Sequence, residues 1–270
     1  MDPGRLFPLQ LLLSFLVGGL WILATTLIAE RLNPRLGGLA GGLPSTSAVT
    51  FLFLGWARGP GELDRALSAF PLTFSVNAAF LGIFALVAPR RGAAVGLATG
   101  LGAWLLLQLA VFAVSPLPSA VALGVWAGVL AAAVLIFSGP TASRCGRPQM
   151  EARKGALAAR AALSGTVVAL AVLFGEIGGP VAGSVFAAFP AVYLMTLAII
   201  SRSSGVPCAL EVVGPLLISG EINCVLFAVL MRAVLPLAGV AVAAAAGYAG
   251  VALLATACIP CLRRLLRAAD

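Results

Sequence analysis

Residues 30–50 read ERLNPRLGGLAGGLPSTSAVT, and residues 176–196 read EIGGPVAGSVFAAFPAVYLMT. Laid over each other at an offset of 146, they match at Glu30/Glu176, Pro34/Pro180, Gly37/Gly183, Pro44/Pro190 and Thr50/Thr196. The same offset carries Gly59 onto Gly205 and Asn77 onto Asn223. The number of matches is modest; their kind matters more. The chain holds three asparagines (Asn33, Asn77 and Asn223), and two of them superpose. Two prolines in each stretch superpose as a pair. The sequence therefore reads as an internal duplication.

Both stretches lie in apolar surroundings. Hydrophobic residues make up 61% of the chain and charged residues 10%, where a soluble domain carries about 25% charged residues. That much apolar surface has no place in water. A bilayer core about 30 Å thick takes about 20 apolar residues per helix. Segments of that kind fall near 7–29, 34–57, 66–88, 92–114, 117–138, 156–174, 180–201, 209–231 and 235–260. The expectation is an all-α integral membrane protein of about nine transmembrane helices. Residues 1–115 form the first repeat, 116–155 a joining helix with a basic loop, and 156–270 the second repeat. One joining helix between two four-helix units turns the second upside down. Inverted-topology repeats of this kind belong to secondary transporters and some channels.

The net charge of +8 is spread in short basic runs between apolar segments. These read as topology determinants rather than a nucleic-acid surface. With the N-terminus outside, the inner side holds Arg31, Arg35, Arg90, Arg91, Arg144, Arg147, Arg153, Lys154, Arg160, Arg202, Arg263, Arg264 and Arg267. The outer side holds Arg5, Arg58, Arg65 and Arg232. The expected topology is thus N-out and C-in. Lys154 is the single lysine, and the Ala/Gly/Leu bias suggests a GC-rich prokaryotic genome, hence a prokaryotic plasma membrane. The chain has no histidine, which removes histidine metal sites, His-based triads and His proton relays. Cys145, Cys208, Cys224, Cys258 and Cys261 form no recognisable disulfide or zinc framework. No enzyme chemistry and no cofactor are expected; the expected partners are the bilayer and a small solute or cation, with a homo-oligomer left open.

The second helix of each repeat is where chemistry is expected. Pro34 and Pro180 suit the first helical turn. Pro44 and Pro190 lie about 15 Å deeper. An interior proline removes a hydrogen bond and displaces the carbonyl four residues back. In lipid such a break is tolerated where protein or a watery cavity satisfies the freed groups. A break at matching depth in both halves points to a binding site, although a plain proline kink is the simpler alternative. Ser45, Thr46, Thr50, Tyr193 and Thr196 would supply hydroxyls there. Asn77 and Asn223 would bond a symmetry mate, the opened helix or a solute.

Glu221 sits deep in the eighth span, opposite Ser75 at the same offset. An intramembrane carboxyl is a functional candidate by default. With no obvious cation beside it, it is expected to carry a proton at rest, as a proton- or cation-coupled carrier requires. Glu30 and Glu176 are matched gate candidates, or else anionic partners for a helix N-terminus just after them. The glycine pairs at 37/41, 38/42, 175/179 and 179/183 read as flat faces for helix crossing.

The runs Gly-Gly-Leu-Pro-Ser-Thr at 41–46 and Ala-Ala-Phe-Pro-Ala-Val-Tyr-Leu-Met-Thr at 187–196 resemble patterns in uncharacterised prokaryotic membrane families. The second resembles the GlpM-like small inner-membrane proteins. The resemblance implies membrane location and helical repeats and brings no substrate. The expected function is a secondary transporter for a small polar or ionic solute, with a site between the repeats and alternating access by rocking. The alternatives are a cation channel on the same scaffold, or a scaffold subunit that transports nothing.

Overall fold

The computed structural model describes residues 3–31, 44–137 and 154–268, and within them every regular element is a helix. The helices are α1 (Pro3–Arg31), α2 (Ser45–Arg58), α3 (Pro60–Ser75), α4 (Asn77–Arg91), α5 (Ala93–Val114), α6 (Ser119–Phe137), α7 (Lys154–Ala187), α8 (Ala191–Ser203), α9 (Val206–Glu211) and α10 (Val213–Ala268). Among the described residues, six stretches are long and apolar enough to cross a bilayer: Phe7–Thr25, Pro60–Arg91, Ala93–Val114, Ser119–Phe137, Leu157–Ser203 and Val206–Thr256. The chain is an all-helical membrane protein. Pro34, Gly37, Gly38, Gly41 and Gly42, with most of the basic loop after α6, lie outside the described residues, as do the side chains of Glu30, Cys258 and Cys261.

The expected segments 92–114 and 117–138 are α5 and α6 to within two residues, parted by the non-helical run Ser115–Pro118. Two boundaries differ. The segment expected at 66 starts at Pro60. Gly59 turns the chain with φ 81, Pro60 takes an opening helical position and Glu62 the first turn. Those are start signals that outweigh the charges of Asp64 and Arg65. The break expected at Arg232–Pro236 falls instead at Gly239, where φ is 74. The chain turns at a residue able to take a positive φ, not at the proline.

The largest side chains of the interior are aromatic rings. Phe51 of α2, Phe70 of α3, Phe80 and Phe84 of α4 and Phe227 of α10 are fully buried. Phe51 and Phe70 meet edge to face at 4.9 Å, a favoured aromatic geometry. α7 lies against α1, α2 and α3, and α3 also meets α6 and α10. Leu106, Leu135, Ile136 and Leu237 point outward, as lipid-facing side chains do. With lipid outside, burial of apolar surface gives little drive, and close backbone approach replaces it. Gly165 of α7 faces the Phe15 carbonyl of α1, and Gly175 and Gly183 both take up Leu54 of α2. Gly179, between them, makes no such crossing face; it has φ 79 and kinks α7.

At the Gly59 turn, charges pair. Arg58 meets Glu176 at 2.9 Å, Arg65 meets Glu62 at 2.9 Å, and Arg232 meets Asp64 at 2.8 Å. These are three of the four arginines expected on the outer side. One correction concerns the cysteines: Cys208 is disulfide-bonded, while Cys224 is a free thiol.

Candidate functional site

The site begins with the break after α7. Pro190 has no N–H to continue the helix, and the Ala191 N–H turns back to the Phe189 carbonyl at 2.8 Å. The Ala187 and Ala188 carbonyls thereby lose their usual helical donors. Two side chains from the first half take them over. Ser47 Oγ donates to the Ala187 carbonyl at 3.3 Å, and Asn77 Nδ2 donates to the Ala188 carbonyl at 3.1 Å. Beside them, Thr73 Oγ1 and Ser184 Oγ lie 3.0 Å apart, and Gln108 Nε2 donates to the Thr73 carbonyl at 2.7 Å. A polar layer thus crosses an otherwise apolar interior.

Pro44 and Pro190 hold the same backbone geometry, φ −75 and ψ 52 against φ −77 and ψ 42. Each immediately precedes a helix, and neither N-cap carries a side-chain hydrogen bond. The two helix starts converge on a cavity of about 60 Å³. On a measure where about 10–15 Å³ holds one water, that volume takes a few water-sized groups.

Six sequence-derived candidates line this cavity: Pro44, Ser45, Thr46, Asn77, Pro190 and Tyr193. Thr46 Oγ1, Asn77 Oδ1 and the Tyr193 hydroxyl are buried with no hydrogen-bond partner among the described residues. Ser45 faces the Tyr248 hydroxyl of α10. The Tyr193 ring is held edge-on by Phe74, with centroids 6.4 Å apart. Its hydroxyl lies over Gly220, where a Cβ would collide with it.

The other four candidates do not line the cavity. Thr50 and Thr196 are buried about one turn further along their helices, and Thr50 Oγ1 is also without a partner. Asn223 is half-buried and engaged in an interaction of its own. Glu221 sits next to the lining residue Gly220, fully buried, and neither of its carboxyl oxygens is bonded. Its electrostatic neighbours are Tyr193 and Cys224. The Trp126 indole of α6 faces it without closing a hydrogen bond. Of the gate candidates, Glu176 is half-exposed and paired with Arg58.

Sequence reasoning missed Ser47, Ser219 and Cys224 in the wall, and Gln108 in the polar layer. Gln108 had a signal: it is the one amide in the apolar run 92–114. Ser47 follows directly on the quoted hydroxyl pair. Among the described residues, no cluster of three or more His, Cys, Asp or Glu side chains is arranged to hold a metal. No family model, curated protein or solved structure matches this chain.

Proposed function

We propose that the chain is a secondary carrier for a small polar or ionic solute, built from two inverted repeats and coupled to a proton through Glu221. The cavity carries the reading: two helix starts, 146 residues apart in sequence and alike in backbone geometry, meet at one small space with unbonded polar atoms. A buried amide or hydroxyl without a partner is unfavourable by about 1–3 kcal/mol. Such groups persist where a solute or its water completes them. Glu221, buried and unbonded beside the cavity, supports proton coupling.

The nine-span arrangement is part of the same proposal. Leu157–Ser203 and Val206–Thr256 hold 47 and 51 residues, each enough for two crossings of about 20 residues. Kinks at Gly179 and Gly239 divide α7 and α10. Counting these as four crossings, with the four other long stretches and the segment 34–57, makes nine. Gly59 and Gly205, also 146 apart, both take a positive φ before a helix, which agrees with a duplication. The resemblance to GlpM-like proteins agrees with the membrane location.

The test is uptake by the purified chain in proteoliposomes, with a panel of small acids, amides, sugars and ions under an imposed pH gradient. Saturable uptake with counterflow, lost in Asn77→Ala and uncoupled from pH in Glu221→Gln, is expected. Conductance without saturation or counterflow would make the chain a channel. No flux for any solute would return it to the scaffold reading.

A further inference from the structure

We infer that the cavity binds a small oxyanion, a carboxylate or an inorganic anion of similar size, held between the N-termini of α2 and α8. The inference rests on the carrier reading and names its substrate class.

Helix N-termini present N–H groups that no residue of the same helix accepts, together with about half a positive charge each. The backbone ladder of α2 begins with the Ala48 N–H on the Pro44 carbonyl; that of α8 reaches its cap carbonyl with the Leu194 N–H on Pro190. Residues 45–47 and 192–193, from the first turns, line the cavity. Neither first turn holds an acidic residue, and neither cap is closed by a side chain. Both positive ends are thus left uncompensated by their own helices.

A second observation comes from side chains, not from the backbone ends of the helices. Thr46, Asn77 and Tyr193 are 8%, 0% and 6% exposed; each lines this space and each carries a polar atom with no hydrogen-bond partner among the described residues. The Thr46 and Tyr193 hydroxyls can donate to an oxyanion. Asn77 Nδ2 is committed to Ala188, so its Oδ1 is left to accept from a hydroxyl or amino group on the bound species. A short acid carrying such a donor matches all three.

The same wall disfavours a cation. Among the described residues, no charged side chain lines it. The carbonyls released by the helix break, which a cation would coordinate, are already bonded by Ser47 and Asn77.

The test uses the purified full chain in detergent and reads Tm. Sodium formate, acetate, glycolate and nitrate are titrated against bulky sodium gluconate at fixed ionic strength, then repeated as potassium and choline salts. A saturable rise that follows the anion and ignores the cation is expected. Response to the carboxylates alone would identify organic acids; an equal response to nitrate would extend the class to inorganic oxyanions. Thr46→Asp puts a carboxylate at the α2 N-terminus. It is expected to raise Tm without added anion and to remove the response. Tyr193→Phe, which keeps the ring against Phe74, is expected to weaken half-saturation about tenfold, and it carries the test if Thr46→Asp fails to fold. A rise that follows the cation, an anion response unchanged in the variants, or no saturable response would overturn the inference. Failure of the carrier reading looks different: the anion binds as described, yet proteoliposomes show neither uptake nor counterflow of it.

Discussion

Asn77 joins the two halves of the chain through a single side chain. Its Nδ2 caps the Ala188 carbonyl, its Oδ1 has no partner among the described residues, and the residue lines the cavity. Asn77→Ala leaves that carbonyl unbonded, and a loss of about 1–3 kcal/mol is expected in thermal unfolding. Asn77→Asp keeps the size, and its carboxyl can donate to the Ala188 carbonyl only while it holds a proton, so any recovery of stability over Asn77→Ala is expected at low pH and lost as pH rises. The contact between Tyr193 and Gly220 gives a second expectation. Gly220→Ala collides with the Tyr193 hydroxyl, and overpacking of this kind is unfavourable by about 1–3 kcal/mol. Adding Tyr193→Phe removes the worst contact and should recover part of the lost Tm. Asn77, Tyr193 and Glu221 were legible in the sequence because a polar side chain stands out in an apolar span. Which of their atoms is bonded was not legible, since that depends on a partner 111 residues away.

At the scale of elements, the chain is divided by glycines that turn and prolines that interrupt. Gly179 and Gly239 sit at φ 79 and φ 74 with nothing near the place of a Cβ. A substitution there meets backbone strain and no clash. Gly179→Ala and Gly239→Ala are each expected to lower stability by about 1–3 kcal/mol. Gly102, inside α5 with open space around it, is the contrast: Gly102→Ala is expected to be neutral or to stabilise by up to about 1 kcal/mol. Equal losses at all three positions in a thermal-unfolding series would contradict this account. The prolines at 44 and 190 announced from sequence the start of α2 and the break between α7 and α8. The true end of the α10 kink was not announced, because Pro236 is accommodated within the helix and Gly239 alone supplies the turn.

At the scale of the molecule, one end carries the Gly59 turn and its three ion pairs. Pro60–Arg91 is a single apolar stretch, so its two ends belong on opposite faces of a bilayer. In sealed cells or oriented vesicles, Glu62→Cys and Arg91→Cys should therefore react with an impermeant thiol reagent from opposite sides. The basic-residue distribution expects Glu62 outside and Arg91 inside; labelling of both from one side would contradict a single crossing. The Arg58–Glu176 pair ties the end of α2 to the α7 kink. Its side chains are 28% and 41% exposed, and pairs of that exposure contribute about 0–1 kcal/mol. Arg58→Ala should leave Tm nearly unchanged. Any effect on uptake would then reflect gating and not stability.

The sequence by itself determined that the chain is helical and lives in a bilayer, because solubility and span length follow from composition and run length alone. It also marked the two matched interruptions, since proline acts on its own backbone wherever it stands. Only the tertiary structure decided that both interruptions open onto one cavity, that Ser47 and Asn77 complete the carbonyls released in the second half, and that Glu221 lies beside that space and not in its wall. The first two are relations between residues more than a hundred positions apart. They are fixed by how helices cross in three dimensions, which local periodicity does not encode.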